Sequence, residues 1–125
     1  MKPTSPVPIP SGARRWTFAF KNSLKGLRYA VKHQAAVREE LIALAASVPL
    51  ALWLIDSIAA RLAAVLSVVF VLIVEIINSA IETTLDRVST EFNQLTGAAK
   101  DMGSLAVLLA MAVSAAIWTY GIALT

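Results

Sequence analysis

Cysteine is absent from the 125-residue chain, and histidine occurs once, at His33. Disulfides, thiolate zinc sites, cysteine nucleophiles and histidine-based metal clusters are thereby excluded. Charge is scarce as well: Asp, Glu, Lys and Arg make up 15% of the residues against 58% hydrophobic, a balance far from that of a soluble domain of this length and typical of a membrane protein. Acids are missing altogether from residues 1–38, which hold eight of the eleven Lys and Arg, so the net charge of +3 conceals a basic N-terminal block. Neither the G-x-x-x-x-G-K-[ST] phosphate loop nor the G-x-G-x-x-G fingerprint occurs, so a nucleotide bound here would not sit in one of the soluble nucleotide folds.

What is present reads as a single all-α membrane domain. Pro3, Pro6, Pro8 and Pro10 crowd the start, which predicts an extended, disordered leader over residues 1–12. Trp16, Phe20, Leu24, Leu27 and Val31 then recur at steps of four and three, with Lys21, Lys25, Arg28 and Lys32 gathered opposite. This predicts a basic amphipathic helix over 13–34, suited to an anionic membrane surface, although Phe18 and Tyr29 fall on the basic side. Basic residues continue to Arg38 with no apolar core among them, which argues against a secretory signal.

Leu41–Ile55 is free of charge for fifteen residues. At about 1.5 Å per residue it covers roughly 22 Å of a ~30 Å hydrocarbon core, so a first span over 35–56 needs its flanks. Pro49 lies inside that run, as membrane helices tolerate. A short outer turn at Asp56–Arg61 leads to a second span over 58–86, whose apolar core is Leu62–Val74. Residues 87–101 are polar, contain Gly97, and read as a loop with helix ends on both sides. Met102–Thr125 carries no charge in 24 residues, enough for a third span over 102–124. The positive-inside rule puts the basic N-terminus, Arg87 and Lys100 on the cytoplasmic side. Ala106, Ala110 and Ser114 repeat every four residues in the third span and predict close helix approach there, assigned to assembly between subunits.

The chemistry concentrates at the end of the second span. Glu75, Asn78, Glu82 and Asp86 stand at i, i+3, i+7 and i+11, which at about 100° per residue aligns them as one polar seam on one helix face. An ionised carboxylate within hydrocarbon costs at least ~2.5 kcal/mol, so such a seam needs a partner or a function. One reading is an interhelical hydrogen-bond seam or a pair of protonated acids; the other is acid–base and metal chemistry near the cytoplasmic surface. Glu75 lies about 10 Å deeper than Glu82, so one can meet lipid and the other water. Lys100 and Asp101 sit at the membrane return of the polar segment, where a lysine is ordinarily a topology signal.

The run Val74-Glu75-Ile76-Ile77-Asn78-Ser79-Ala80-Ile81-Glu82, then Asp86-Arg87, then Lys100-Asp101-Met102-Gly103-Ser104, resembles the signature of the small prokaryotic diacylglycerol kinases. Lys25-Gly26-Leu27-Arg28 and residues 35–40 look like that family's N-terminal segments, and the likeness runs without evident gaps from about Arg15 to Trp118. The resemblance implies a homotrimer of three-span subunits with a surface helix, multi-pass in the bacterial inner membrane, phosphorylating a lipid alcohol with Mg-ATP at the cytoplasmic face. Carried over by residue, it makes Glu75 the general base and a contact to the lipid, and Glu82 a magnesium ligand that also meets ATP. It places Asn78 in the same site, Ser104 against lipid, and Arg15, Glu91, Phe92, Asn93, Lys100 and Asp101 around the nucleotide. Gln34 stands where the family usually has a metal-binding Glu and also faces ATP; Asn22 stands where a nucleotide-side Tyr is common, and Leu24 where a Trp is common. An amide oxygen can ligate magnesium but brings no charge, so either metal affinity is lower or Glu39 or Glu40 compensates.

The activity this implies is diacylglycerol kinase. An undecaprenol kinase of the same family is the near alternative; the segment Ala35-Ala36-x-Arg38-x-Glu40 looks more like the diacylglycerol type. A small proton-coupled transporter would also use an intramembrane glutamate, but predicts it at the midplane rather than on a seam running to the membrane edge.

Overall fold

Gly12 opens the first helix with a φ of 66°, a backbone that residues with a Cβ rarely adopt, and its carbonyl accepts the Arg15 N–H at 3.1 Å. The computed structural model describes residues 8, 10–88 and 93–125, which form an all-α fold of four helices: α1 (Ala13–His33), α2 (Ala35–Leu54), α3 (Ile58–Val88) and α4 (Gln94–Ala123). Most of the leader, together with Glu91 and Phe92, lies outside the described residues.

The first two helix breaks are each stitched by an arginine from the helix that follows. Gln34 is extended (φ −118°, ψ 105°) and forms the whole corner between α1 and α2. Arg38 reaches back from α2 to donate to the Val31 carbonyl at 2.8 Å and the Lys32 carbonyl at 3.3 Å, satisfying the end of α1. At the far end of α2, Arg61 of α3 donates to the carbonyls of Ile55 and Leu52. The Ser57 hydroxyl accepts from Ala60 N at 3.3 Å, a serine start for α3, and Thr125 accepts from Asp56 N at 3.2 Å, tying the C-terminus to the same turn. Arg61 is thus a brace of the turn rather than merely a residue at its edge.

Antiparallel packing of α3 on α4 forms the centre of the fold. The buried positions of α3 are Ala64, Ser67, Val71, Glu75, Asn78 and Ser79; those of α4 are Gly103, Ala110, Ser114 and Gly121. Both sets are rich in small residues, which lets the backbones approach where lipid supplies no hydrophobic drive. The Ser67 and Ser114 hydroxyls share a hydrogen bond of 2.8 Å, and Ser67 also meets the Ala64 carbonyl at 2.6 Å. This register puts Val71 level with Ala110. Of the three small residues expected at an interface between subunits, Ala110 and Ser114 are instead buried within one chain, on the face of α4 turned to α3, while Ala106 is exposed. The reason is size, since small side chains admit any helix, and here the Ser67–Ser114 hydrogen bond and the α3–α4 packing fill that space.

Helices α3 and α4 are each long and apolar enough to cross a membrane, and most of their apolar surface is exposed, as at Leu66 and Leu108. Helix α2 packs on α3 and carries Pro49 inside it; Ser47, in the preceding turn, bonds the Leu44 carbonyl at 2.7 Å. The polar stretch 87–101 is mostly helix: α3 runs to Val88 and α4 starts at Gln94. Asn93 accounts for that early start, its side-chain oxygen accepting from Leu95 N at 2.8 Å and Thr96 N at 3.4 Å as an N-cap.

Candidate active site

The packed seam of α3 changes character along its length. From Ala64 to Val71 it is small or apolar, and from Glu75 onward the same face carries the carboxylates and the amide. Glu75 and Asn78 are buried, Glu82 is half-buried and Asp86 exposed, so the seam runs from protein interior to surface in about three turns. The sequence pattern is the inward face of α3 carried past the apolar core.

Asn78 is the joint of the site. Its Nδ2 donates to Glu82 Oε1 at 3.3 Å, one turn further on. Its Oδ1 is buried, has no hydrogen-bond partner among the described residues, and lies against Gly103 of α4. At the surface end, Lys100 of α4 donates to Asp86 Oδ1 at 2.8 Å. The structure therefore sets Glu75, Asn78, Glu82 and Asp86 along one face of α3, which α4 meets through Gly103 at Asn78 and Lys100 at Asp86. Asp101 and Ser104 are exposed on the adjoining turns of α4.

A groove of about 620 Å³ runs beside this face, between α1 and the second half of α3. Ser23, Tyr29 and Gln34 line one side; Ser79, Thr83 and Thr84 line the other. The two threonines return their hydroxyls to their own helix, to the carbonyls of Ser79 and Ala80, each at 2.8 Å, so the groove wall is less polar than its composition suggests. Gln34 belongs to the groove by its place at the α1–α2 corner. Arg15 and Asn22 are exposed on α1, with the Arg15 guanidinium 5.5 Å from the Trp16 ring centre. Asn93 serves first as the cap of α4.

Three features were missed in the sequence. Arg38 and Arg61 brace helix ends, yet a membrane chain places arginines at such boundaries for topology alone, so the turn and the segment they mark in sequence do not show the bracing. Gly103 stands in sequence as one residue of a motif, and only the structure shows its closeness to Asn78. Ser79 and Thr83 could have been found, since they stand one residue past Asn78 and Glu82 on the same helix.

Residues 21–122 match the profile described as prokaryotic diacylglycerol kinase. The diacylglycerol kinase of Escherichia coli (strain K12) is 47% identical over 96 residues, covering 77% of this chain and 79% of that protein. That of Haemophilus influenzae is 37% identical over 98 residues, covering 78% and 83%. That of Pseudomonas aeruginosa is 38% identical over 114 residues, covering 91% and 93%.

Proposed function

The chain belongs to the prokaryotic diacylglycerol kinase family, and on that premise we infer that it transfers the γ-phosphate of Mg-ATP to the free hydroxyl of sn-1,2-diacylglycerol, giving phosphatidic acid. The observation that carries this reading is the burial of Glu75 on the seam that continues through Asn78 to Glu82. A carboxylate at that depth can meet a hydroxyl offered from the bilayer. Glu82, about 10 Å nearer the end of α3, meets a nucleotide offered from water.

Glu75 acts as general base: it takes the proton of the lipid hydroxyl as that oxygen bonds to the γ-phosphorus and the bond to the departing ADP oxygen breaks. Asn78 orients Glu82 through its amide. Lys100, held by Asp86, faces the nucleotide phosphates, with Arg15, Asn22, Gln34, Glu91, Phe92, Asn93 and Asp101 around the rest of ATP. Ser104 and the apolar helix faces hold the lipid. Phosphoryl transfer depends on positioning and charge neutralisation more than on covalent chemistry, so a base, oriented carboxylates and a lysine suffice.

The donor set suits magnesium. It is made of hard oxygens, Glu82 with one oxygen already held by Asn78 and Gln34 as an amide donor, and the chain has no thiolate. Among the described residues no three His, Asp or Glu side chains form a cage, which fits an ion that keeps waters and shares its coordination with phosphates. Bound there, magnesium supplies charge neutralisation to the phosphoryl oxygens.

In the membrane, α2 serves as the first span, beside α3 and α4. Its 20 residues cover roughly 30 Å, with Arg38, Glu39 and Glu40 at the surface end. The N-terminus is cytoplasmic, α1 lies on the inner leaflet with Trp16, Phe20, Leu24, Leu27 and Val31 toward lipid, and three chains assemble in the bacterial inner membrane. All five of those side chains are exposed in the single chain, as a lipid-facing stripe requires.

The test is transfer of radiolabelled phosphate from ATP, with purified protein in mixed micelles carrying diacylglycerol or undecaprenol. Labelled phosphatidic acid is the expected product. Preferential labelling of undecaprenol would move the substrate within the family, and no labelled lipid would overturn the reading.

A further inference from the structure

The Asn78 amide is held in an orientation that leaves one of its ends unsatisfied. Its nitrogen donates to Glu82, and a carboxylate accepts hydrogen bonds only, so the amide oxygen must point the other way. That oxygen is buried and has no partner among the described residues, a costly arrangement for a polar atom. It lies where α4 has Gly103: a Cβ built on Gly103 would fall 2.0 Å from Asn78 Oδ1 and 3.1 Å from its Cγ. No side-chain-bearing residue fits without displacing the amide itself. Gly103 is a helical residue without positive φ, so its backbone does not require glycine and the missing side chain is the explanation.

We propose that Gly103 is a positioning residue for this kinase: the space it leaves on α4 fixes the one orientation of Asn78 that turns its amide nitrogen onto Glu82. The proposal deepens the reading of Glu82 as a ligand of the nucleotide-bound ion and rests on it. In Gly103→Ala the Asn78 side chain swings away from α4, Glu82 loses its donor, and the carboxylate is no longer pre-set. The effect passes from α4 to α3 through one contact, so it vanishes when Asn78 is absent.

The experiment is a double-mutant cycle on the full-length protein in detergent micelles. Mn2+ binding is read by electron paramagnetic resonance with a non-hydrolysable ATP analogue present. Gly103→Ala and Asn78→Ala are each expected to weaken Mn2+ binding by about tenfold, the lower range for groups that orient a metal ligand, and the double variant to bind no worse than Asn78→Ala alone. Losses that multiply, or wild-type binding by Gly103→Ala, would overturn the proposal. A second readout is independent of the ion: the Asn78 side-chain amide signal in a 15N–1H spectrum, assigned by its loss in Asn78→Ala. It should move on Glu82→Gln when Gly103 is present and stay still when Gly103 is Ala; equal movement in both would refute the contact. Should Gly103→Ala fail to fold while Gly103→Ala with Asn78→Ala folds, the steric coupling is upheld. If the amide signal behaves as expected and neither Asn78→Ala nor Glu82→Gln changes Mn2+ binding, the metal reading of Glu82 fails and the positioning of Asn78 stands.

Discussion

The Lys100 ammonium lies 2.8 Å from Asp86 Oδ1, joining the last turn of α3 to the second turn of α4. Both side chains are substantially exposed, at 42% and 67%, so the pair contributes little to folding, on the order of 0–1 kcal/mol. Its value is in where it holds the lysine. Asp86→Asn should leave the unfolding midpoint nearly unchanged and raise the KM for ATP several-fold with a smaller effect on kcat, whereas Lys100→Ala should damage both. Steady-state kinetics at varied ATP separates the two variants.

Glu75→Gln removes the base while keeping the size of the side chain. Loss of general-base catalysis costs about 10²–10⁴-fold in turnover, so phosphorylation should fall by at least that lower figure while ATP-analogue binding stays close to wild type. Residual turnover above a tenth of wild type would assign the proton to another group.

Gln34→Glu introduces a carboxylate at the α1–α2 corner, on the groove between α1 and α3. A charged oxygen attracts a divalent cation more than an amide oxygen does, so the magnesium concentration for half-maximal activity should fall. An unchanged or higher requirement, measured by titrating magnesium at fixed ATP, would place Gln34 outside the ion's reach.

Ala110→Leu tests where the small-residue face of α4 packs. Ala110 is 3% exposed within a single chain, so a larger side chain overfills the contact with α3 and should destabilise the folded chain by about 1–3 kcal/mol. The sign of this is a lower unfolding midpoint in denaturing detergent. Clean conversion to folded monomers with unchanged midpoint, seen by cross-linking, would return Ala110 to a subunit interface.

Removal of residues 1–30 takes away most of α1 and with it one wall of the groove lined by Ser23, Leu27 and Tyr29. Kinase activity should be lost even when the spans still insert, while removal of residues 1–10 should be tolerated. Full activity from the longer truncation would confine the site to α3 and α4.

Local periodicity and hydropathy are carried by residues near one another in the chain, and these were legible without coordinates. The basic amphipathic stripe of 14–32 falls within α1, and the spacing of Glu75, Asn78, Glu82 and Asp86 puts them on one face of α3 whatever packs against it. The helices run past the expected spans at both sides of the polar segment, α3 to Val88 and α4 from Gln94, in keeping with the helix ends read there, and only the structure shows that Asn93 sets where α4 begins.

Partner choice was not legible, because an alanine or glycine on an apolar helix advertises closeness without saying to what. Ala110 and Ser114 had two candidate neighbours, the chain's own α3 or another subunit, and only the antiparallel register that pairs Ser114 with Ser67 decides for the first. Gly103 looks in sequence like any motif glycine; the place of the Asn78 oxygen, on a different helix, gives it a reason. Arg38 and Arg61 likewise read as boundary charges until their carbonyl partners, six to nine residues away and across a break between helices, are in view. Hydrophobicity is additive along the chain and so survives in one dimension, whereas steric fit and hydrogen-bond direction belong to pairs of residues that the fold alone brings together.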